Sequence, residues 1–208
     1  MSFDKKAKNW DADLKKTARA KVIAKEIVGF IRPDPTLHAL EFGCGTGLLS
    51  FQLRNSFNTI TLVDNSAGMI QVLREKITEV EIKNFKPIHI DLLEEGNSTS
   101  DFDVIYTLMT LHHITDINKI LEVFNTKMKG GGFLCIADLV QEDGSFHAEY
   151  DDFAGHNGFD RESLSELLSN NGFSIEYDKI CFEIKKQVGS ETKKYPLFLM
   201  ICKKINRK

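Results

Sequence analysis

The 208-residue sequence predicts an α/β domain with a mostly parallel sheet and helices on both of its faces. Two observations carry that prediction. From about residue 37 to residue 139, short apolar runs ending in an acidic residue alternate with stretches whose apolar residues recur at helical spacing. The first of these runs, Leu37 to Phe42, opens onto a glycine-rich turn, Glu41 to Gly47, placed directly before a helical pattern. Strands separated by helices become parallel neighbours through right-handed crossovers, which cover both sheet faces.

Taken in order, Leu14 to Ile31 carries Leu14, Ala18, Val22, Ile23, Ile27 and Phe30 at mostly helical spacing, and Pro33 with Pro35 stops that helix before the first strand. A helix near Leu48 to Asn55 follows the glycine turn. Next come a strand from Thr59 to Asp64, a helix near Ala67 to Val80, and a strand from Pro87 to Ile90 leading into Asp91. Glu94 to Ser100 reads as a loop. Asp103 to Thr107 is a fourth strand, Ile117 to Met128 a helix, and Lys129 to Gly132 a turn before a fifth apolar strand ending at Asp138. Beyond it, Gln141 to Asp160 is polar and aromatic at once. A helix from Arg161 to Asn170 is closed by Gly172, and Phe173 to Ile184 and Pro196 to Lys203 form two further strands around a charged hairpin at Gly189. Seven strands result, and 208 residues are long enough for one well-buried domain over residues 1–208 and short for two.

Formal charge is −3, from 27 Lys and Arg against 30 Asp and Glu, so no global field draws the chain to nucleic acid or to a membrane. Basic residues gather near both ends (Lys5, Lys6, Lys8, Lys15 and Lys16; Lys203, Lys204, Arg207 and Lys208) and read as solvated termini. Cys44, Cys135, Cys181 and Cys202 have no CxxC spacing, and no histidine stands at zinc-finger distance. They read as buried thiols in a reducing compartment, and no metal centre is expected. His147 and His156 are a weak metal pair without a third ligand at convincing spacing. Without a signal-like segment or an apolar run near 18 residues, the expected location is cytoplasmic.

The glycines alone leave two cofactor classes open. A dinucleotide fingerprint would place its third glycine at Leu48; here Gly43, Gly45 and Gly47 alternate behind Glu41 instead. This ExGxGxG pattern resembles the first motif of the class I S-adenosylmethionine-dependent methyltransferases. Asp64, 23 residues after Glu41, and Asp91 close the second and third strands as that family's acidic residues do, and Lys129 to Gly132 is similar to its KPGG turn, with Gly130 where proline is frequent. The resemblance spans roughly Leu37 to Leu139. It implies a Rossmann-like sheet whose last strand runs antiparallel between the fifth and sixth. It also divides the chain into an N-terminal arm or lid (1–36), a cofactor core (37–139) and a substrate-lid segment with the last helix and strands (140–208).

The same resemblance implies S-adenosyl-L-methionine as cofactor. Gly43, Gly45 and Gly47 would lie along its methionine half, Glu41 near its ammonium, Asp64 at the ribose and Asp91 at the adenine amino group. Asn65, Leu92 and Thr107 complete the set, and Met69 is either an adenine-packing residue or a helix core residue. In relatives that methylate hydroxyl groups, the first histidine of a pair after strand four works with an aspartate ending strand five; those roles fall on His112 and Asp138. Trp10, His113, His147, Tyr150 and His156 are expected around the acceptor. No NPPY-type motif is present, since the corresponding place reads Tyr106, Thr107, Leu108 and Met109, and no paired-glutamate loop appears. The expected activity is methyl transfer to a small molecule by direct in-line displacement, with oxygen as the acceptor atom; a non-catalytic cofactor-binding regulatory module and a nicotinamide-dependent oxidoreductase are the alternatives.

Overall fold

The computed structural model describes residues 3–94, 101–150 and 152–206. Its sheet has seven strands: β1 (His38–Phe42), β2 (Thr59–Asp64), β3 (Phe85–His89), β4 (Phe102–Leu108), β5 (Met128–Leu139), β6 (Phe173–Val188) and β7 (Glu191–Lys204). They lie in the order β3-β2-β1-β4-β5-β7-β6. β1 to β5 pair in parallel, and β7 runs antiparallel between β5 and β6, as the resemblance implied. The order reverses between β1 and β4, and the crevice outside the carboxyl ends of those strands is where open α/β sheets bind ligands.

Among the described residues five helices cover the sheet: α1 (Leu14–Ile31), α2 (Leu48–Leu53), α3 (Ala67–Glu79), α4 (Ile117–Lys127) and α5 (Arg161–Asn170). Strand alternation divides the core. Val104, Tyr106, Cys135, Ala137, Leu199 and Ile201 face α1, α2 and α3, whereas Ile105, Leu134, Ile136, Phe198 and Met200 face α4 and α5. Side-chain caps mark the helix starts: Asp13, Ser66, Asp116 and Asp160 accept from Lys15, Met69, Lys119 and Ser163 backbone N–H groups. α1 ends at Arg32, which takes a left-handed conformation one residue before Pro33. Gly172, in the left-handed region, follows the end of α5 as expected.

Three expectations are corrected. The buried stripe of α1 is Ala20, Ile23, Ala24 and Ile27, while Leu14, Ala18 and Phe30 are exposed. Lys129 to Gly132 belong to β5 rather than to a turn before it. Pairing advances two residues on β4, from Phe102 to Val104, while β5 advances five, from Met128 to Phe133, so the glycines form an outward bulge within the strand. The terminal hairpin is also longer than its apolar runs, because β6 and β7 stay paired out to Val188 and Glu191. The loop residues 95–100 and the basic residues 207–208 lie outside the described residues. Among the described residues no helix is long and apolar enough to cross a membrane.

Candidate active site

A cavity of about 610 Å³ opens over the carboxyl ends of β1, β2 and β4. That volume lies within the ordinary range for a small-ligand site. Its floor is the glycine turn after β1. Gly43 has φ +64°, and a Cβ there would lie 2.0 Å from Thr110 Cγ2, so only glycine fits. Gly47 is the N-cap of α2 at φ +82° and lies off the cavity. A Cβ on it would meet Leu73 Cδ1 at 2.7 Å, which makes Gly47 a helix-packing residue.

Asp64 ties this turn to the next one. Its Oδ2 accepts from the Gly45 N–H at 2.7 Å and its Oδ1 from the Ser66 N–H at 2.8 Å, while burial pushes the carboxyl above its ordinary range. Asn65, Met69, Asp91 and Leu92 also line the cavity. Asp91 Oδ1 is held by the Leu93 N–H at 2.9 Å, and Met69 is both a buried residue of α3 and part of the cavity wall. Glu41 is buried at the cavity edge, with the Ser50 hydroxyl donating to it and Ser50 in turn 2.6 Å from the Tyr106 hydroxyl. Burial raises the Glu41 carboxyl to about 8, against the lowering effect of the Ser50 hydrogen bond.

Thr107 is not on the cavity. It is buried within β4 with no partner for its hydroxyl, and Leu108, Met109 and Thr110 form the wall in its place. Met109 holds φ +56°, a left-handed conformation that costs a non-glycine residue of order 1–3 kcal/mol and gathers at functional sites.

His112 and Asp138 do come together. Asp138 is fully buried at the end of β5, and His112 is buried in the 3₁₀ turn Leu111–His113 after β4. His112 Nδ1 lies 2.6 Å from Asp138 Oδ1, and the His112 and Leu139 N–H groups donate to the same carboxylate at 3.2 and 2.7 Å. Burial pushes the Asp138 carboxyl up, but the imidazole and these hydrogen bonds outweigh it and hold it below its ordinary range. An ionised Asp138 only accepts, so Nδ1 carries the proton, and Nε2 is the nitrogen that holds the lone pair in the neutral ring.

His113, not His112, lines the cavity. Burial, with His112 and His147 nearby, lowers the His113 imidazole to about 3, and burial with His112 and Lys186 nearby lowers His147 to about 4. Of the expected acceptor residues, His113 and Trp10 are on the wall and His147, Tyr150 and His156 are not; Asp152, Phe153, Ala154 and Gly155 stand there instead. The reason is how this segment folds. His147 stacks flat on Phe153 at 3.8 Å and is buried behind it, Tyr150 accepts from Lys6 Nζ at 2.5 Å, and the His156 N–H donates to the His112 carbonyl at 2.7 Å.

The N-terminal arm closes the cavity from above. Its 3₁₀ segment, Asp4–Ala12, places Asp4 Oδ1 to accept from the Gly68 N–H at 2.8 Å and the Ser66 hydroxyl at 2.6 Å, and Asp11 to accept from Thr46 Oγ1 and Lys76 Nζ, each at 2.5 Å. Phe3 packs edge-on against His113, with ring centroids 5.2 Å apart.

Arg19 was not anticipated. It lines the cavity, its Nε is buried without a hydrogen-bond partner, and burial lowers its guanidinium to about 10, which leaves it charged at neutral pH. The signal was a cation four residues before Ile23 and eight before Ile27, beside the buried stripe of α1. A buried guanidinium Nε without a hydrogen-bond partner suits an anionic group such as a carboxylate. Together with the glycine cradle and the carboxylates at the ends of β1 and β2, it fits a ligand that carries an amino-acid end and a nucleoside.

Comparison with known proteins agrees with this geometry. The family described as a methyltransferase domain matches residues 40–134. An uncharacterised methyltransferase of Schizosaccharomyces pombe is 30% identical over 150 residues, covering 65% of this chain and 52% of that protein. An O-methyltransferase of Pyrenophora dematioidea is 28% identical over 174 residues, covering 78% of this chain and 62% of its own. The chain thus spans about half to three fifths of the length of these relatives. A S-adenosylmethionine-dependent methyltransferase from Aquifex aeolicus shares the fold, with a TM-score of 0.71 at 17% identity over 97% of this chain and 98% of that one. Glycine cradle, strand-end carboxylates, sheet order and these similarities lead to one conclusion: residues 40–134 form a methyltransferase domain, carried on the fold of the S-adenosylmethionine-dependent methyltransferases.

Proposed function

We propose that this protein transfers a methyl group to a hydroxyl of a small molecule, with His112 accepting the hydroxyl proton and Asp138 orienting it. The observation that carries this reading is the buried His112–Asp138 pair, whose 2.6 Å contact leaves Nε2 free beside the cavity wall. The bound cofactor supplies an electrophilic sulfonium methyl. The protein's task is then to hold the acceptor in line, exclude water and take one proton. Glu41, Gly43, Gly45, Asp64, Asn65, Met69, Asp91 and Leu92 would hold the cofactor, and Arg19 its carboxylate. The name of the Pyrenophora relative supports oxygen as the acceptor atom. The four unpaired cysteines support a reducing, cytoplasmic setting.

The test is a screen of hydroxylated metabolites with methyl-labelled cofactor, read by mass spectrometry. Label on oxygen is the expected result. Label confined to nitrogen or sulfur, or cofactor binding without turnover across the panel, would reject the reading.

Cofactor binding is expected to release a proton. Glu41, held up at about 8 in the free protein, is mostly protonated near pH 7, and a positive charge placed beside it favours the ionised form. Affinity should therefore rise with pH up to about 8 and then level off. Calorimetry in buffers of different ionisation enthalpy measures the proton, and Glu41→Gln should abolish it.

The arm is proposed to move when ligands enter. Phe3 packs edge-on against His113, the neighbour of His112, so an acceptor entering beside these histidines would shift it. Trp10, the single tryptophan of the chain, lines the cavity and reports this motion. Its emission and acrylamide quenching should change on saturation with cofactor and acceptor; identical values would exclude a lid.

A further inference from the structure

Three imidazoles from two separate segments converge beside the cavity. His112 and His113 sit in the turn after β4, and His147 in the 3₁₀ turn Ser145–His147 after β5. One ring nitrogen from each lies within 4.8 Å of the other two, and the ring centroids are 4.1, 5.1 and 5.4 Å apart. In a tetrahedral site with metal–nitrogen bonds of about 2.0–2.1 Å, ligand nitrogens stand roughly 3.3 Å apart, so a modest closure of the rings would suffice.

Two features mark a built arrangement. Asp138 takes Nδ1 of His112 and also binds its backbone N–H, which fixes the ring and presents Nε2, as carboxylates do behind metal-bound histidines. His147 Nδ1 is buried without a hydrogen-bond partner, an unfavourable state that a ligand would relieve, and its ring is held flat against Phe153. With imidazole as the only donor type, the set suits zinc, cobalt, nickel or copper rather than magnesium or calcium.

We propose that His112, His113 and His147 bind one divalent transition-metal ion, and that its occupancy blocks methyl transfer. Binding follows from the donor set alone. The block rests on His112 as the base: with Nδ1 bonded to Asp138, Nε2 has a single lone pair, which either holds the ion or accepts the proton. The ion would also fasten the turn after β5 to the turn after β4, the side from which the acceptor approaches.

The experiment titrates zinc chloride into chelator-stripped full-length protein by calorimetry, with cobalt(II) absorption as a second readout. One equivalent should bind, cobalt should develop the intense visible bands of a tetrahedral site, and His147→Ala should weaken binding at least tenfold. His147→Gln, which keeps a polar side chain against Phe153, serves if the alanine variant fails to fold. Absence of stoichiometric binding, or binding indifferent to both substitutions, overturns the site. In turnover assays, at a zinc concentration that fills the wild-type site but not the weakened ones, zinc should inhibit the wild type and leave each His147 variant at its own zinc-free rate. Zinc bound at full occupancy without inhibition would support the site and overturn both the block and the assignment of His112 as base, whereas no zinc binding would leave that assignment standing.

Discussion

His112→Ala is expected to lower methyl transfer to a hydroxyl acceptor by roughly 10² to 10⁴, the usual contribution of a general base, while leaving cofactor affinity nearly unchanged. The separation follows from position, since His112 lies behind His113 and off the cavity wall that would hold the cofactor. Asp138→Asn is the informative partner. Alanine at this fully buried site would leave two backbone N–H groups and an imidazole without an acceptor, so lost activity would be confounded with lost stability. Asparagine keeps the shape and one acceptor oxygen but removes the charge that selects the Nδ1–H tautomer. Its turnover should fall by a similar factor, with a melting temperature closer to wild type than that of the alanine variant. The double variant should be little worse than the worse single one, because the pair acts as a unit. Wild-type turnover in His112→Ala would rule out the mechanism.

Asp64→Ala should weaken cofactor binding by roughly tenfold to over a hundredfold, equivalent to about 1.5–3 kcal/mol for lost hydrogen bonds to a charged group. The structure gives this carboxylate two tasks. Besides facing the cavity, it accepts from Gly45 and Ser66, so its removal also releases the glycine turn from the start of α3. Asp64→Asn separates the two, since its remaining oxygen can keep one of these bonds while the charge is lost. Calorimetry with the cofactor product, alongside thermal melting, reads both effects. Wild-type affinity in a folded Asp64→Ala variant would remove this residue from the site.

Much of the molecule was legible from short-range signals. α1 and α5 were both placed to the residue, because a capping aspartate, a 3.6-residue pattern and a proline or glycine stop are all local. Strand ends were legible for the same reason. An acidic residue that closes an apolar run at the carboxyl edge of a parallel sheet faces the crevice whatever the rest of the chain does, and Glu41, Asp64 and Asp91 all line the cavity. Thr107 failed within that logic by one step of the strand period. Tyr106 faces α1 to α3, which leaves its neighbour on the opposite, buried face.

By itself, then, the sequence determined the order of elements, the glycine cradle, the strand-end carboxylates and the meeting of His112 with Asp138 at neighbouring strand ends. Only the tertiary structure decided which histidine faces the cavity, that Arg19 joins its wall, and that His147 meets the histidine pair. A 3₁₀ turn advances about 120° per residue, so adjacent histidines point in different directions, and the buried charge of Asp138 draws one inward while the other is left on the wall. The other two placements depend on packing between segments far apart in the chain: α1 crossing the crevice, and the segment after β5 folding back beneath it. Periodicity sets which face of an element is apolar, but the partner that face meets is chosen by the closure of the whole fold.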